Sequence, residues 1–123
     1  MSHQSSSSST DLDVDAQASA WFALVDAGKS DASWGSAGAL FRNALDPALW
    51  AAQLRAAREP LGPVTSRALA VEQRVSTLPG IPDGAYVVRQ YHSVYDGSRA
   101  VVETLTMQRE ADGVWRVVGY FIR

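Results

Sequence analysis

Beyond the stretch Pro60-Leu61-Gly62-Pro63 the spacing of apolar residues changes from about 3.6 to about 2, and no other feature constrains this chain as strongly. Everything before the break reads as helix and everything after it as strand. Helices followed by strands cannot build alternating strand-helix-strand crossovers, so the expected class is α+β, with three N-terminal helices packed on a curved four-stranded antiparallel sheet. A site is then expected where helices face sheet.

On the helical side, the first helix is expected to begin near Asp11, with Thr10 or Asp11 as its cap, and to end at Gly28. Val14, Ala18, Trp21 and Val25, with Leu24 beside them, form its apolar stripe. Residues 1–10 hold five consecutive serines and no apolar run, so they read as a disordered leader and neither as a signal peptide nor as a membrane span. The folded domain is thus expected over 11–123. With no export signal the chain as it stands is expected in the cytoplasm, or in the periplasm if a native leader has been replaced. A second helix opens at Ser30 or Asp31 with Trp34, Ala37, Phe41 and Leu45 on one side. Asp46-Pro47 supplies a capping carboxylate and a first-turn proline for a third, whose buried side carries Trp50, Leu54, Ala57 and Leu61.

On the strand side, Val64 to Thr77 alternates Arg67, Leu69, Val71, Gln73 and Val75 with Ser66, Ala68, Glu72 and Arg74, and the more apolar set is expected to point inward. Tyr86 to Tyr95 and Arg99 to Arg109 form a hairpin about Asp96-Gly97. A two-residue turn there pairs residues whose numbers sum to 193. Tyr86, Val88, Gln90 and His92 then share the inner face with Met107, Leu105, Glu103 and Val101, while Arg89, Tyr91 and Ser93 lie opposite Thr104, Val102 and Ala100 on the other. The last strand, Trp115 to Arg123, points either Trp115, Val117, Gly119 and Phe121 inward, or Arg116, Val118, Tyr120 and Ile122, depending on the length of the turn before it.

Composition excludes several functions. Eleven Lys plus Arg, scattered singly, stand against thirteen Asp plus Glu, a formal charge of −2 that offers no footprint for nucleic acid or an anionic membrane. The absence of cysteine removes thiolate chemistry and sulfur-ligated metals, and His92 is the one histidine outside the leader, so neither a metal nor a cofactor is expected. No nucleophile elbow and no phosphate-cradling glycine loop occurs.

Six blocks in order, WFALVDAG at 21–28, SW at 33–34, REPLGPVTSR at 58–67, LPGIPDGAYVVRQY at 78–91, VETLT at 102–106 and DGVWRVVGYFIR at 112–123, resemble the bacterial family called domain of unknown function 4019. The order of elements is similar to the nuclear-transport-factor-2-like, cystatin-like α+β fold. That resemblance implies a cone, with the sheet wrapped around the first helix and a cavity between them. It implies no catalytic residues, and the wider fold hosts isomerases, dehydratases, binding proteins and dimerisation modules alike. Many members of the family begin with an export signal, which this chain lacks.

Chemistry would come from polar residues on the apolar face. Glu103, between Val101 and Leu105, is a carboxylate in an apolar row, and burying it alone costs several kcal/mol, so it needs a partner. Arg67 is the first candidate and Arg58 the second. The pair reads either as an internal ion pair pinning helices to sheet or as a cavity site in which Glu103, Gln90, Arg67, Tyr86 and His92 hold a ligand. Tyr91, Tyr95 and Tyr120 are further phenols able to line such a cavity, although strand aromatics mostly pack. Three functions follow: a non-catalytic domain binding a small, mostly apolar ligand or a peptide in the cone, a cofactor-free isomerase or dehydratase using Glu103 as base, and a homodimerisation module using an outer sheet face with Val87, Tyr91, Val102 and Thr104. A filled interior would favour the last.

Overall fold

The computed structural model describes the backbone of residues 5–123 and the side chains of residues 12–123. Four helices, α1 (Ser5–Asp26), α2 (Ser30–Ser36), α3 (Ala39–Ala44) and α4 (Pro47–Arg58), and a 3-10 turn at Glu59–Leu61 precede the strands β1 (Val64–Val75), β2 (Tyr86–Tyr95), β3 (Arg99–Arg109) and β4 (Trp115–Ile122). The strands make one open antiparallel sheet in the order β1-β2-β3-β4, so the class is α+β.

The helical half departs from expectation in two places. α1 starts at Ser5 rather than near Asp11, so the whole serine run belongs to the helix, since serine costs an established helix only a few tenths of a kcal/mol per residue. The expected second helix is broken into α2 and α3 at Gly38, which gives four helices instead of three. Gly38 lies against β4, where its N–H donates to the Val117 carbonyl at 2.7 Å. A Cβ there would come within 2.9 Å of Val118 Cγ1 and Glu110 Oε2, so only glycine permits the approach. Glu110 Oε2 then accepts from the Ala39 N–H at 2.7 Å and caps α3 from the turn after β3. Of the expected caps two hold, Asp46 Oδ1 accepting from the Leu49 N–H at 2.8 Å and Gly28 ending α1 with φ +75°, whereas Thr10 and Asp11 lie inside α1 instead of capping it.

The register of the hairpin is one residue away from the expected one. Its pairs sum to 194, with Tyr95 opposite Arg99 and Tyr91 opposite Glu103, because the loop holds three residues, Asp96, Gly97 and Ser98. Asp96 adopts φ +53°, its N–H donates to the Pro63 carbonyl at 2.7 Å, and the Gly97 N–H reaches Thr65 Oγ1 at 3.3 Å. Ties to the start of β1 therefore select the wider loop. Glu103, Leu105 and Met107 point inward as expected, but β2 is reversed: Val87, Arg89, Tyr91, Ser93 and Tyr95 are buried beneath the helices, and Gln90 and His92 face outward. Val87 and Tyr91 thus leave the expected outer face, and Val102 and Thr104 remain on it.

Three register shifts complete the pattern, one at the start of β1 between Val64 and Ser66 and two farther along. In β1, Leu69 pairs with Tyr91 but Val71 with Gln90, so the side-chain alternation slips at Ala70: Arg67 and Leu69 point inward, then Glu72 and Arg74, while Val71, Gln73 and Val75 turn outward. In β4, Thr106 pairs with Gly119 but Met107 with Val117, so Val118 is extra. Both expected faces of β4 are realised in halves, with Trp115 and Val117 buried first and Tyr120 turned in after the bulge.

Between α1 and the sheet the space is filled by aromatic packing. Tyr120 meets Trp21 at 5.2 Å, Trp50 meets Phe41 at 4.9 Å, and Phe22 meets Tyr91 at 5.0 Å between ring centroids. Indole N–H groups hold the helices together, Trp21 donating to the Ser33 carbonyl at 3.0 Å and Trp50 to Ser33 Oγ at 2.9 Å.

Candidate functional site

The side chains best able to carry chemistry gather around Glu103, which is 0% exposed at the centre of the inner sheet face. Its Oε1 accepts from Ser93 Oγ at 2.6 Å and Arg67 Nε at 2.7 Å, and its Oε2 from Tyr120 Oη at 2.5 Å, Tyr95 Oη at 2.8 Å and Arg67 Nη2 at 3.4 Å. Ser93 and Tyr95 stand two apart on β2, as inward neighbours must, and the β4 bulge brings Tyr120 to the same carboxylate. Arg67 spans inward to Glu103 and back to Asp26 at the end of α1, where its Nη1 lies 2.8 Å from Oδ2. Its guanidinium rests on the Phe22 ring at 3.8 Å. Arg58 of α4 joins Asp26 at 2.6 Å and covers the Tyr95 ring at 4.9 Å. Two arginines and two carboxylates thus balance.

Burial opposes ionisation of Glu103, but the Arg67 hydrogen bond, supported by Ser93 and Tyr120, outweighs it and holds the carboxyl below the usual range. Asp26 is likewise desolvated yet held low by Arg67 and Arg58. Desolvation and the adjoining carboxylate push the Tyr95 phenol up to about 12, and raise Tyr120 further. The donors around Glu103 thus favour its ionised form and lower its basicity, the reverse of a general base poised near neutrality.

A second clamp holds the middle of α1. Arg89, nearly buried on β2, donates from Nη2 to Asp15 at 2.6 Å and Glu72 at 3.2 Å, and from Nη1 to Tyr91 Oη at 3.2 Å. Asp15 and Asp26 lie about three helical turns apart on one side of α1, so the two arginines fasten that helix to the sheet at its middle and at its C-terminal end.

Of the expected site residues, Arg67 and Glu103 meet. Tyr86, Gln90 and His92 belong to the opposite face. Tyr86 is covered by the loop before β2, its hydroxyl donating to the Pro82 carbonyl at 2.6 Å, and His92 is exposed. Ser93 lies on the face opposite to the expected one, Tyr95 and Tyr120 donate to Glu103 instead of lining a cavity, and Asp26 has no sequence signal. Arg89, Tyr91, Ser93 and Tyr95, every second residue of β2, do form a row of donors, which is what a buried carboxylate requires.

Three larger grooves open on the surface, two of them bordered by arginines and Asp26 of this cluster. One of about 470 Å³ opens at the ends of α1 and α4, lined by Val25, Asp26, Leu54, Arg55, Arg58 and Val64. A second of about 400 Å³ runs between α1 and β1 past Phe22, Arg67, Leu69 and Arg89, and a third of about 690 Å³ lies by Arg74, Tyr86 and Arg109. Glu103 borders none of the three. Among the described residues no group of three His, Cys, Asp or Glu side chains converges as a metal site needs, and no helix is long and apolar enough to cross a membrane.

Fold and cluster together define an α+β domain organised around an enclosed ion network. The chain belongs to the family described as "Protein of unknown function (DUF4019)", whose profile matches residues 17–120. No curated protein and no solved structure matches it.

Proposed function

We propose that this domain works by association, as a non-catalytic module whose outer sheet face docks a second copy of the chain. The carrying observation is the polarity of the two faces. Inside lie Arg67, Glu72, Arg89 and Glu103, whereas outside lie Val71, Gln73, Val88, Gln90, Val94, Val102, Thr104 and Thr106. Among the described residues no strand places a side-chain carboxylate on the outer face, and its arginines, Arg116 and Arg123, stand on the edge strand or just beyond it. Val71 is 44% and Phe121 47% exposed on it. Four strands of about ten residues give a face of roughly 33 by 19 Å, about 600 Å² in plan before side-chain relief, near the ~800 Å² per partner of a standard interface. Such a surface suits itself, because meeting its own copy neither opposes like charges across its centre nor strands a charge without a partner.

The nuclear-transport-factor-2-like cone is the architecture in which we read this arrangement, with its interior given over to packing rather than to a ligand. The proton-abstracting reading lacks an available base, since both oxygens of Glu103 already accept from protein donors that lower its basicity. A ligand reading keeps one observation in its favour, the groove of about 470 Å³ beside Arg58, whose size and mixed lining suit a small amphipathic molecule. Sedimentation equilibrium tests association. The wild-type chain should be a dimer, and Val102→Lys should be a monomer with an unchanged far-UV spectrum. A wild-type chain that stays monomeric at the highest attainable concentration would end this reading. A small molecule retained in native mass spectrometry would then turn attention to the groove.

A further inference from the structure

One side chain in the middle of the outer face belongs to the type that changes charge near neutrality, and the ion network does not use it. His92 is exposed on β2, opposite Ala68 of β1 and Val102 of β3. Gln90 and Val94 flank it along its own strand, and Ser66, Ala100 and Thr104 stand diagonally across. The helices pack on the far side of the sheet. The nearest charged group in its row is Arg123, joined to Val102 by backbone hydrogen bonds of 2.8 and 2.9 Å and lying over the Phe121 ring. Arg116, also on this face, is engaged by Glu110 and Asp112. Among the described residues no side-chain carboxylate faces His92 from β1, β2 or β3, and the one charged side chain in its row is itself a cation.

We infer that self-association through this face is gated by pH, with neutral His92 admitted to the contact and protonated His92 excluded from it. The inference rests on the association reading above. An imidazolium carried into an uncharged contact loses its hydration and gains no carboxylate in exchange. In a two-fold dimer the same patch serves both copies, so each dimer carries this cost twice. Acidification therefore separates the copies while each fold survives, because Glu103 and Asp26 inside are both held ionised to below the usual carboxylate range.

Sedimentation equilibrium of the full chain at constant ionic strength, from about pH 8 to about pH 5.5, is the test, with far-UV spectra at each pH. Histidine changes charge between about pH 5 and 8, and two protons per dimer make the dissociation constant rise on the order of 100-fold across that range. His92→Gln should remain a dimer with a flat profile, which also separates His92 from His3, and His92→Lys should be monomeric throughout. A wild-type dimer with a flat profile, or a slope that survives in His92→Gln, overturns the gate and leaves association standing. A wild-type monomer at about pH 8 overturns both.

Discussion

The two faces of this sheet invert the usual distribution of polarity. On β2 the inward row reads Val87, Arg89, Tyr91, Ser93 and Tyr95, and the outward row Val88, Gln90, His92 and Val94, so the side under the helices carries the guanidinium and hydroxyls. Such an interior is workable because its polar groups answer one another: the carboxylate of Glu103 receives five hydrogen bonds from four side chains. The outer face has no such internal answer. What the contrast teaches is that a polar row can be the core when its members form a closed network, and that the plainer row is then left for solvent or a partner.

Removing a member of the inner network gives the largest expected effect. Arg67→Met leaves Glu103 ionised and without a cation beside it and should destabilise by about 3 to 5 kcal/mol, a fall in melting temperature on the order of 10 to 20 °C. Glu103→Gln should cost less, because Arg67 keeps Asp26, and the double variant should recover part of the sum. Strictly additive single effects in thermal melts would break the contrast between the faces.

Next in size is a dependence on alkaline pH. Tyr95 ionises more readily in the unfolded chain, near 10, than in the fold, where its phenol is pushed up to about 12. Its contribution is therefore complete below about pH 10 and is lost as pH rises through 12. Tyr95→Phe should cost about 1.5 to 3 kcal/mol at neutral pH, as loss of a hydrogen bond to a charged group, and should flatten this alkaline decline in urea titrations. An unchanged decline would place the sensitive group elsewhere in the network.

Smallest is the effect outside. Val88→Thr, between Gln73 and Thr106 on the outer face, should move the unfolding free energy of the dilute monomer by no more than about 0.5 kcal/mol. A loss above 2 kcal/mol would mean that the outer row is a second core and that the two faces do not differ in kind.

Much of the scaffold is legible in local chemistry. Asp46-Pro47 opens α4, Gly28 closes α1, and the proline-glycine cluster at 60–63 marks the passage from helix to strand. The Arg67–Glu103 pair is legible for a different reason: a charge inside an apolar row has to be answered, and few cations lie within reach. The register was not, because the choice between two and three loop residues is made by Pro63 and Thr65, which reach Asp96 and Gly97 only in the folded chain. The bulges at Ala70 and Val118 leave no local mark either. Reading the more apolar row of β2 as the core then misplaced Gln90 and His92, since that rule takes no account of a polar network that satisfies itself. Gly38 looks like a weak spot in one helix until β4 is beside it.

The carboxylate of Glu103 also bears on how the molecule can come apart. Its donors reside on β1, β2 and β4, and through Asp26 the same arginine engages α1, so no strand can peel away alone without leaving an anion short of ligands in a still dry interior. Detachment of β4 would take Tyr120, and detachment of β1 would take Arg67. Local fraying of either edge is therefore coupled to loss of the whole sheet, and slow amide exchange should extend to both edge strands at nearly one common rate where the ladder runs past this residue. A single side chain at the middle of β3 makes the sheet a unit that opens all at once.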